Sequence, residues 1–295
     1  MRKDIAFQSG GLTLRGWFYE PPTGSGKAPA ILMSHGFSAV KEQGLDGFAQ
    51  AFNAAGFAVL AFDHRHLGAS DGAERGRIIP QEQHDDQRAA LTWLSAQPGV
   101  DPERIGLWGS SYSGGHALFL GAIDPRVKAV VAQAPAIDTP RSLISLAGKA
   151  GFDAYLPLLA ADQAARNAGE PSGRIPVVAP QGQPSVLSTP DSFEWFMAAR
   201  TPAWSETTTL ESVARMAEYQ PAGLIDLISP KPLLMIVGAT DSLIPVALAR
   251  EAFQRAGEPK KLVEIDCGHF DFYPGMPHHA RASQEATDWF SQVLM

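Results

Sequence analysis

The chain has 295 residues, of which 45% are hydrophobic and 19% are charged, and its formal net charge is −7. This length and balance are typical of a globular protein of one or two domains with a large buried core. The sequence has no basic run with interleaved aromatics, no block of like charge and no run of eighteen apolar residues. We therefore expect neither a nucleic-acid partner, nor a disordered charged tail, nor a membrane partner.

The amino terminus and the cysteine content favour a cytoplasmic protein. Residues 1–8 carry no apolar signal core. Cys267 is the only cysteine, so no intrachain disulfide can form, and we expect it to be a small buried side chain at the end of a strand. The sequence gives no basis for an oligomeric state.

Strand and helix patterns alternate over the first 132 residues. Two segments of alternating polarity, 5–8 and 12–19, predict a starting hairpin. Continuous apolar runs predict buried strands, and periodic segments predict helices between them. The predicted strands are 30–33, 57–62, 104–108 and 127–132, and the predicted helices are near 41–55, 81–96 and 116–123. This alternation predicts an α/β fold with a mostly parallel sheet and helices on both faces.

Residues 137–229 interrupt the alternation and predict an inserted cap. They contain aromatics, short helical pieces and a Pro/Gly-rich centre, and they are too long for a loop within a compact sheet. We expect a mainly helical cap at 137–229 on a core domain formed by 1–136 and 230–295. The alternation resumes with two strands and two helices, predicted near 233–238, 245–256, 261–265 and 278–293.

The stretch from Arg104 to His116 joins a predicted buried strand to a helix through small residues. A sharp turn of this kind with a serine at its apex is typical of a nucleophile elbow, whose strained backbone needs small neighbours. Both Ser111 and Ser113 fit G-x-S-x-G with one serine in place of a glycine. We assign Ser111, because it directly follows the strand, where the turn must occur. A plain Gly/Ser turn is the alternative.

A serine nucleophile needs a base, and the base needs an acid that orients it. In an open parallel sheet such groups gather at the carboxyl ends of the strands. Asp241 and His269 follow the last two predicted strands, so we predict Ser111, His269 and Asp241 as nucleophile, base and acid. Taken alone, Asp241 or His269 could be a turn residue, and Asp266 and Asp271 are alternative acids.

Two backbone N–H groups are candidates for an oxyanion hole. Tyr112 follows the nucleophile, and Phe37 follows the first long buried strand in His35-Gly36-Phe37. A glycine turn after a strand would look similar.

Four cap aromatics are candidate substrate-binding residues, and they favour a substrate with an apolar part. The alternative is that they form the core of the cap itself. These residues are Phe152, Tyr155, Trp195 and Trp204.

Histidine pairs are the only hint of a metal site. His64 and His66, and likewise His278 and His279, have no third ligand at a firm spacing, so we expect no metal. No phosphate-binding G-x-x-x-x-G-K-[ST] loop is present, and we expect no cofactor. The segment 84–86, His-Asp-Asp, is expected to be a solvated turn at the start of a helix.

At these residues the chain resembles the α/β-hydrolase superfamily. The resemblance covers His35-Gly36-Phe37, segment 63–72, the elbow, Gly238 to Asp241, and Gly268-His269. More narrowly, the chain is similar to dienelactone-hydrolase-like and peptidase-S15-like esterases, and within them to the polyketide transferase/thiohydrolase group. That similarity lies in the elbow Gly-x-Ser-Tyr-Ser-Gly-Gly and in the cap stretches 175–178 and 189–191. Ser113 and His66 stand where the superfamily often carries glycine.

The resemblance implies an α/β-hydrolase fold and a serine hydrolase that cleaves carboxylic esters or thioesters through an acyl-enzyme on Ser111. The alternatives are a biosynthetic acyl or polyketide transferase, a thiohydrolase, and a peptide or carbon–carbon bond hydrolase with the same triad. A noncatalytic ligand-binding protein of this fold is a further alternative, although it would not need all three triad residues. The partner is then a small-molecule substrate with an apolar part, and a cap over the site suggests gated access.

Overall fold

The computed structural model describes residues 1–21 and 26–295. Within these ranges the strands are β1 (Arg2–Ser9), β2 (Leu12–Tyr19), β3 (Ala28–Ser34), β4 (Ala58–Phe62), β5 (Val100–Ser110), β6 (Val127–Gln133), β7 (Arg174–Pro176), β8 (Thr207–Thr209), β9 (Leu233–Gly238) and β10 (Lys260–Ile265). The helices are α1 (Leu45–Ala54), α2 (Pro80–Ser95), α3 (Tyr112–Ile123), α4 (Thr139–Asn167), α5 (Pro190–Ala198), α6 (Leu210–Ala217), α7 (Val246–Arg255) and α8 (His279–Leu294), with a 3-10 helix at Pro221–Ile228.

Eight strands form one sheet in the order β1-β2-β4-β3-β5-β6-β9-β10. The first two strands pair antiparallel, β2 pairs antiparallel with β4, and the remaining neighbours are parallel. Every residue of β4 and of β9 is buried, because helices cover both faces of the sheet. The predicted α/β architecture is thereby confirmed.

Alternate side chains of β3 enter two separate hydrophobic cores. Leu32 lies in the core formed with α2, α3 and α7. Ile31 and Met33 lie on the opposite face, in the core formed with α1 and α8. The short apolar run in the sequence therefore fills two cores at once, as expected of a strand buried on both sides. The helix predicted near 41–55 begins only at Leu45, after Gly44, whose φ of 109° is outside the helical region.

The segment between β6 and β9 contains α4 to α6, the small antiparallel sheet β7-β8 and the 3-10 helix. Helix α4 is broken at Gly148, which has φ 70° and ψ 162°, into the segments 139–147 and 149–167, and the second segment is longer than the short pieces predicted. By length and composition alone α4 could cross a membrane, and only 6% of its most apolar window is buried. The 3-10 helix contributes Ala222, Ile225 and Ile228 to the core formed with α2, α3 and α7, although the helix lies inside the predicted cap.

Hydrogen bonds and ion pairs fasten α6 and its neighbours to the loop that follows β4. Arg77 Nε donates to Glu211 Oε2 at 2.8 Å, and Ile78 N donates to Ser212 Oγ at 2.8 Å. Thr208 Oγ1 donates to the carbonyl of Gly76 at 2.7 Å. These contacts join residues 207–212 of the predicted cap to the loop after β4.

Candidate active site

Ser111 lies at the apex of a sharp turn between β5 and α3. Its φ and ψ are 57° and −120°, a conformation that costs a non-glycine residue on the order of 1–3 kcal/mol. The surrounding backbone holds it in place, since Ser111 N donates to the Gln133 carbonyl and Ala136 N donates to the Ser111 carbonyl, both at 2.9 Å. A Cβ on Gly109 would lie 2.0 Å from the Ser113 carbonyl oxygen, so this position requires glycine.

The three residues predicted as a triad lie in one hydrogen-bonded row. His269 Nε2 is 3.0 Å from Ser111 Oγ, and His269 Nδ1 is 2.7 Å from Asp241 Oδ2. The other oxygen, Asp241 Oδ1, accepts hydrogen bonds from the backbone N–H groups of Leu243 and Ile244, each at 2.8 Å. These bonds fix the carboxylate, which in turn orients the imidazole. Adjacent parallel strands, β9 and β10, place the two side chains side by side.

The competing candidates occupy other positions. Ser113 is buried in α3, and its hydroxyl has no hydrogen-bond partner in the described part of the chain. Asp271 Oδ2 accepts a hydrogen bond from Gly268 N at 2.8 Å, which shapes the loop before His269. Asp266 is exposed.

The loop after β3 lies against the nucleophile. A Cβ on Gly36 would be 3.0 Å from Ser111 Cβ and 3.4 Å from its Oγ, so glycine allows this approach. The ring of Phe37 then meets the ring of Tyr112 edge to face, with centroids 5.4 Å apart. Tyr112 is the first residue of α3, where backbone N–H groups have no partner within the helix and the helix dipole is positive.

Ser111 borders two cavities. One also contacts Leu143 and Leu146 of α4, and these two leucines also line a larger cavity between α4 and the segment 183–188. The second is small and lies between Ser111 and Trp195. In the described residues, the walls of these three cavities include no carboxylate, ammonium or guanidinium group.

The cap aromatics divide between these cavities and the cap interior. Phe152 and Tyr155 line the larger cavity between α4 and the segment 183–188, and Trp195 lines the small cavity beside Ser111. Trp204 instead stacks on Phe196 at a centroid distance of 5.1 Å and is 7% exposed, so it lies in the interior of the predicted cap.

Sequence reasoning missed the aliphatic wall beside Ser111. Two signals could have found part of it: Leu143 and Leu146 are three residues apart on α4, and Leu243 and Ile244 follow Asp241 by two and three residues. This wall comprises Leu143, Leu146, Leu187, Met216, Leu243 and Ile244.

A buried polar cluster beneath α3 was also missed, and the expectation of a solvated turn at 84–86 was wrong. His84 and Asp86 lie inside α2 and are buried. His84 Nε2 is 2.9 Å from Tyr219 Oη and 3.2 Å from His116 Nδ1, while His116 Nε2 is 2.8 Å from Gln83 Oε1. Burial lowers the pKa of His84 to about 3 and the pKa of His116 well below its usual value. These histidines are therefore neutral at neutral pH.

The paired histidines of the sequence lie apart from any metal-like arrangement. His64 Nδ1 is 3.5 Å from Asp86 Oδ2, and Arg65 occupies the same carboxylate at 2.7 Å. Across residues 1–21 and 26–295, no group of three or more His, Cys, Asp or Glu side chains is placed to hold a metal ion.

The buried histidines predict acid-sensitive folding. Burial also lowers the pKa of His35 to about 4, so the unfolded chain binds protons that the folded chain does not. Stability is therefore complete above the unfolded pKa of about 6.5 and is lost as pH falls below it, by about 1.4 kcal/mol per pH unit for each such histidine. Urea unfolding at pH 7, 6, 5 and 4.5 measures this slope. His84→Asn should make it shallower, whereas an unfolding free energy constant from pH 7 to 4.5 would contradict the argument.

Comparisons with known proteins agree with this architecture. Residues 11–263 match the family described as X-Pro dipeptidyl-peptidase (S15 family). The thiohydrolase aneE of Aspergillus aculeatus is 31% identical over 91% of this chain and 83% of its own length. The polyketide transferase ATR5 of Stachybotrys chlorohalonatus is 33% identical over 93% of this chain and 92% of its own.

A solved structure extends the likeness to the whole chain. The crystal structure of the α/β hydrolase GrgF from Penicillium sp. sh18 superposes with a TM-score of 0.85 and 28% identity, covering 100% of this chain and 99% of that one. The predicted resemblance is confirmed. The chain therefore belongs to the X-Pro dipeptidyl-peptidase (S15) family and is an α/β-hydrolase close to the thiohydrolase and polyketide transferase group.

Proposed function

We propose that this hydrolase acts on carboxylic esters or thioesters through an acyl-enzyme formed on Ser111. The observation that carries the proposal is the row of two hydrogen bonds, 3.0 Å from Ser111 Oγ to His269 Nε2 and 2.7 Å from His269 Nδ1 to Asp241 Oδ2. A hydroxyl, an imidazole and a fixed carboxylate in this order are the parts that nucleophilic acyl transfer needs.

In the proposed mechanism, Ser111 Oγ attacks the substrate carbonyl carbon while His269 Nε2 takes the hydroxyl proton. The N–H groups of Phe37 and Tyr112 stabilise the oxyanion, and Asp241 stabilises the charged imidazole. The tetrahedral intermediate collapses as His269 gives its proton to the leaving alcohol or thiol. Water, activated by His269, then attacks the acyl-enzyme and releases the acid.

The cavity walls support an uncharged, apolar acyl group. An X-Pro peptide with a free amino terminus would bring an ammonium group into the site, and burying that charge without a partner is costly. The described residues that line the three cavities offer no carboxylate to pair with it. The aliphatic wall beside Ser111 instead suits hydrocarbon. We therefore favour acyl substrates over peptides.

Acyl transfer to a nucleophile other than water is the second candidate. The same aliphatic wall disfavours water next to the acyl-enzyme. The relatives named as a thiohydrolase and as a polyketide transferase span both outcomes. The ratio of transfer to hydrolysis, measured with an acyl thioester and an added alcohol or amine acceptor, separates the two.

A panel of p-nitrophenyl esters and acyl thioesters of two to twelve carbons, with an X-Pro anilide alongside, tests the proposal. We expect kcat/KM to rise with chain length as the acyl group extends past Leu146 into the larger cavity. Leu146→Trp should block this passage and lower kcat/KM for chains longer than six carbons by about 10- to 100-fold, since each buried methylene contributes about 0.8 kcal/mol. Acetate esters should be unaffected.

Leu158→Trp is the matched control, because Leu158 lies on the same helix and is 46% exposed. It should leave the chain-length profile unchanged. Faster turnover of the anilide than of every ester would favour a peptidase. A folded protein that turns over nothing in the panel would favour the noncatalytic ligand-binding protein.

A further inference from the structure

Helix α5 contacts the loop that carries the proposed acid. Ser242, which directly follows Asp241, donates its hydroxyl proton to the Asp191 carboxylate, with distances of 3.1 Å to Oδ1 and 3.0 Å to Oδ2. Asp191 lies in the first turn of α5, where a negative charge is favourable. The hydrogen bond therefore joins the start of α5 to the residue next to the acid.

The same helix packs on the loop that carries the proposed base. Trp195 stacks on Phe270, which directly follows His269, with centroids 5.1 Å apart and ring planes at 24°. Trp195 also lies 4.7 Å from the ring of Tyr273. The Tyr273 hydroxyl is in turn 2.9 Å from Ser110 Oγ, at the end of the strand that leads to the nucleophile. Trp195 therefore links α5 to the loop of His269 and, through Tyr273 and its hydroxyl, to Ser110.

The carboxyl end of α5 is tied to the loop of the proposed oxyanion hole. The carbonyl of Ala199, directly after the helix, accepts a hydrogen bond from Gln43 Nε2 at 3.2 Å. Gln43 Oε1 accepts one from Val40 N at 3.1 Å, three residues after Phe37. A helix of nine residues is therefore attached to the loops of the acid, the base and the oxyanion hole.

We infer that α5 is a positioning element for the proposed acyl transfer, and that Asp191 holds the acid loop in register through Ser242. The inference rests on the proposed function. It assigns part of the cap a role in the chemical step, in addition to shaping the cavity. Neither Asp191 nor Ser242 contacts the reacting atoms, so their effect is on the alignment of Asp241 with His269. Small displacements of a base or acid cost rate because hydrogen-bond geometry decides proton transfer.

The test uses p-nitrophenyl acetate, which is too short to need the larger cavity. Asp191→Ala and Ser242→Ala remove the same hydrogen bond from its two ends. Each should lower kcat about tenfold with little change in KM, and the double variant should lose no more than either single variant. Asp191→Asn keeps an acceptor oxygen and should recover most of the loss. Glu194→Gln, an exposed position on the same helix, removes a negative charge and should leave kcat unchanged.

Thermal unfolding of each variant shows whether it is folded. If Asp191→Ala does not fold, Ser242→Ala alone tests the inference. The inference is overturned if both single variants keep kcat within twofold of the wild type, if only KM changes, or if their losses add in the double variant. A wild-type protein that neither turns over the ester nor reacts with a fluorophosphonate at Ser111 would instead overturn the proposed function, and this inference with it.

Discussion

Replacing Ser111 by alanine should lower kcat for every ester and thioester substrate by about 10⁴-fold or more, because no other group can take the place of the nucleophile. Alanine keeps the Cβ, so the turn at φ 57° is preserved. Only the hydrogen bond from the side chain to His269 is lost. Steady-state kinetics on the ester panel, together with the thermal midpoint, separates lost chemistry from lost folding.

Ser113→Ala is the control that decides between the two serines of the elbow. The Ser113 hydroxyl is buried without a hydrogen-bond partner among the described residues, so its removal relieves an unsatisfied polar group. We expect activity within about twofold of the wild type and an unchanged or higher thermal midpoint. An inactive Ser113→Ala beside an active Ser111→Ala would contradict the assignment of the nucleophile.

Asp241→Asn should lower kcat by about 10²- to 10⁴-fold with little effect on folding. Two backbone N–H groups, from Leu243 and Ile244, require an oxygen at the Oδ1 position. The amide nitrogen of asparagine must then face His269 Nδ1, where it donates a hydrogen bond. This favours the tautomer with the proton on Nε2, which cannot accept the proton of Ser111. Measuring kcat on an activated ester tests the expectation.

Asp266→Asn is the matched control for the acid. Asp266 is an exposed carboxylate close to His269 in sequence, and it is one of the two alternative acids. Its replacement should leave kcat unchanged. If Asp266→Asn were inactive and Asp241→Asn active, the proposed roles of the two aspartates would have to be exchanged.

The core of the fold could be predicted because buried parallel strands have a local signature. The run Leu233 to Val237 is apolar throughout, and a short continuous apolar run is typical of a strand covered on both faces. The positions of Asp241 and His269 then followed, since carboxyl ends of parallel strands share one edge of the sheet. The geometry of the elbow was also predictable, because local backbone sterics at such a turn require small residues around Ser111.

The histidine cluster could not be predicted, because its burial is produced by distant parts of the chain. His84 contacts His116 and Tyr219, which are 32 and 135 residues away in sequence. Its acidic neighbours in sequence suggested a solvated surface. Helix α2 places His84 inside the protein through tertiary packing, which the local sequence pattern does not predict.

The segment 137–229 resisted prediction for a related reason. Its elements pack on one another and on the loops of the core, so their lengths and faces depend on tertiary contacts. The break of α4 at Gly148 and the length of the helical segment that follows it depend on these contacts. The placement of Trp195 at Phe270 and of Trp204 inside the cap depends on the same contacts, and aromatic content alone does not distinguish a cavity wall from a core.

The most direct test of the central claim, an activated serine at position 111, is the intact mass of the wild-type protein after treatment with a fluorophosphonate, followed by peptide mapping. We predict a single adduct on Ser111, with no adduct in Ser111→Ala and slower labelling in Asp241→Asn. Ser113 is the other candidate nucleophile in the elbow, so an adduct on Ser113 would show that it, rather than Ser111, is the nucleophile. A folded wild-type protein that gains no mass would contradict serine catalysis by this chain.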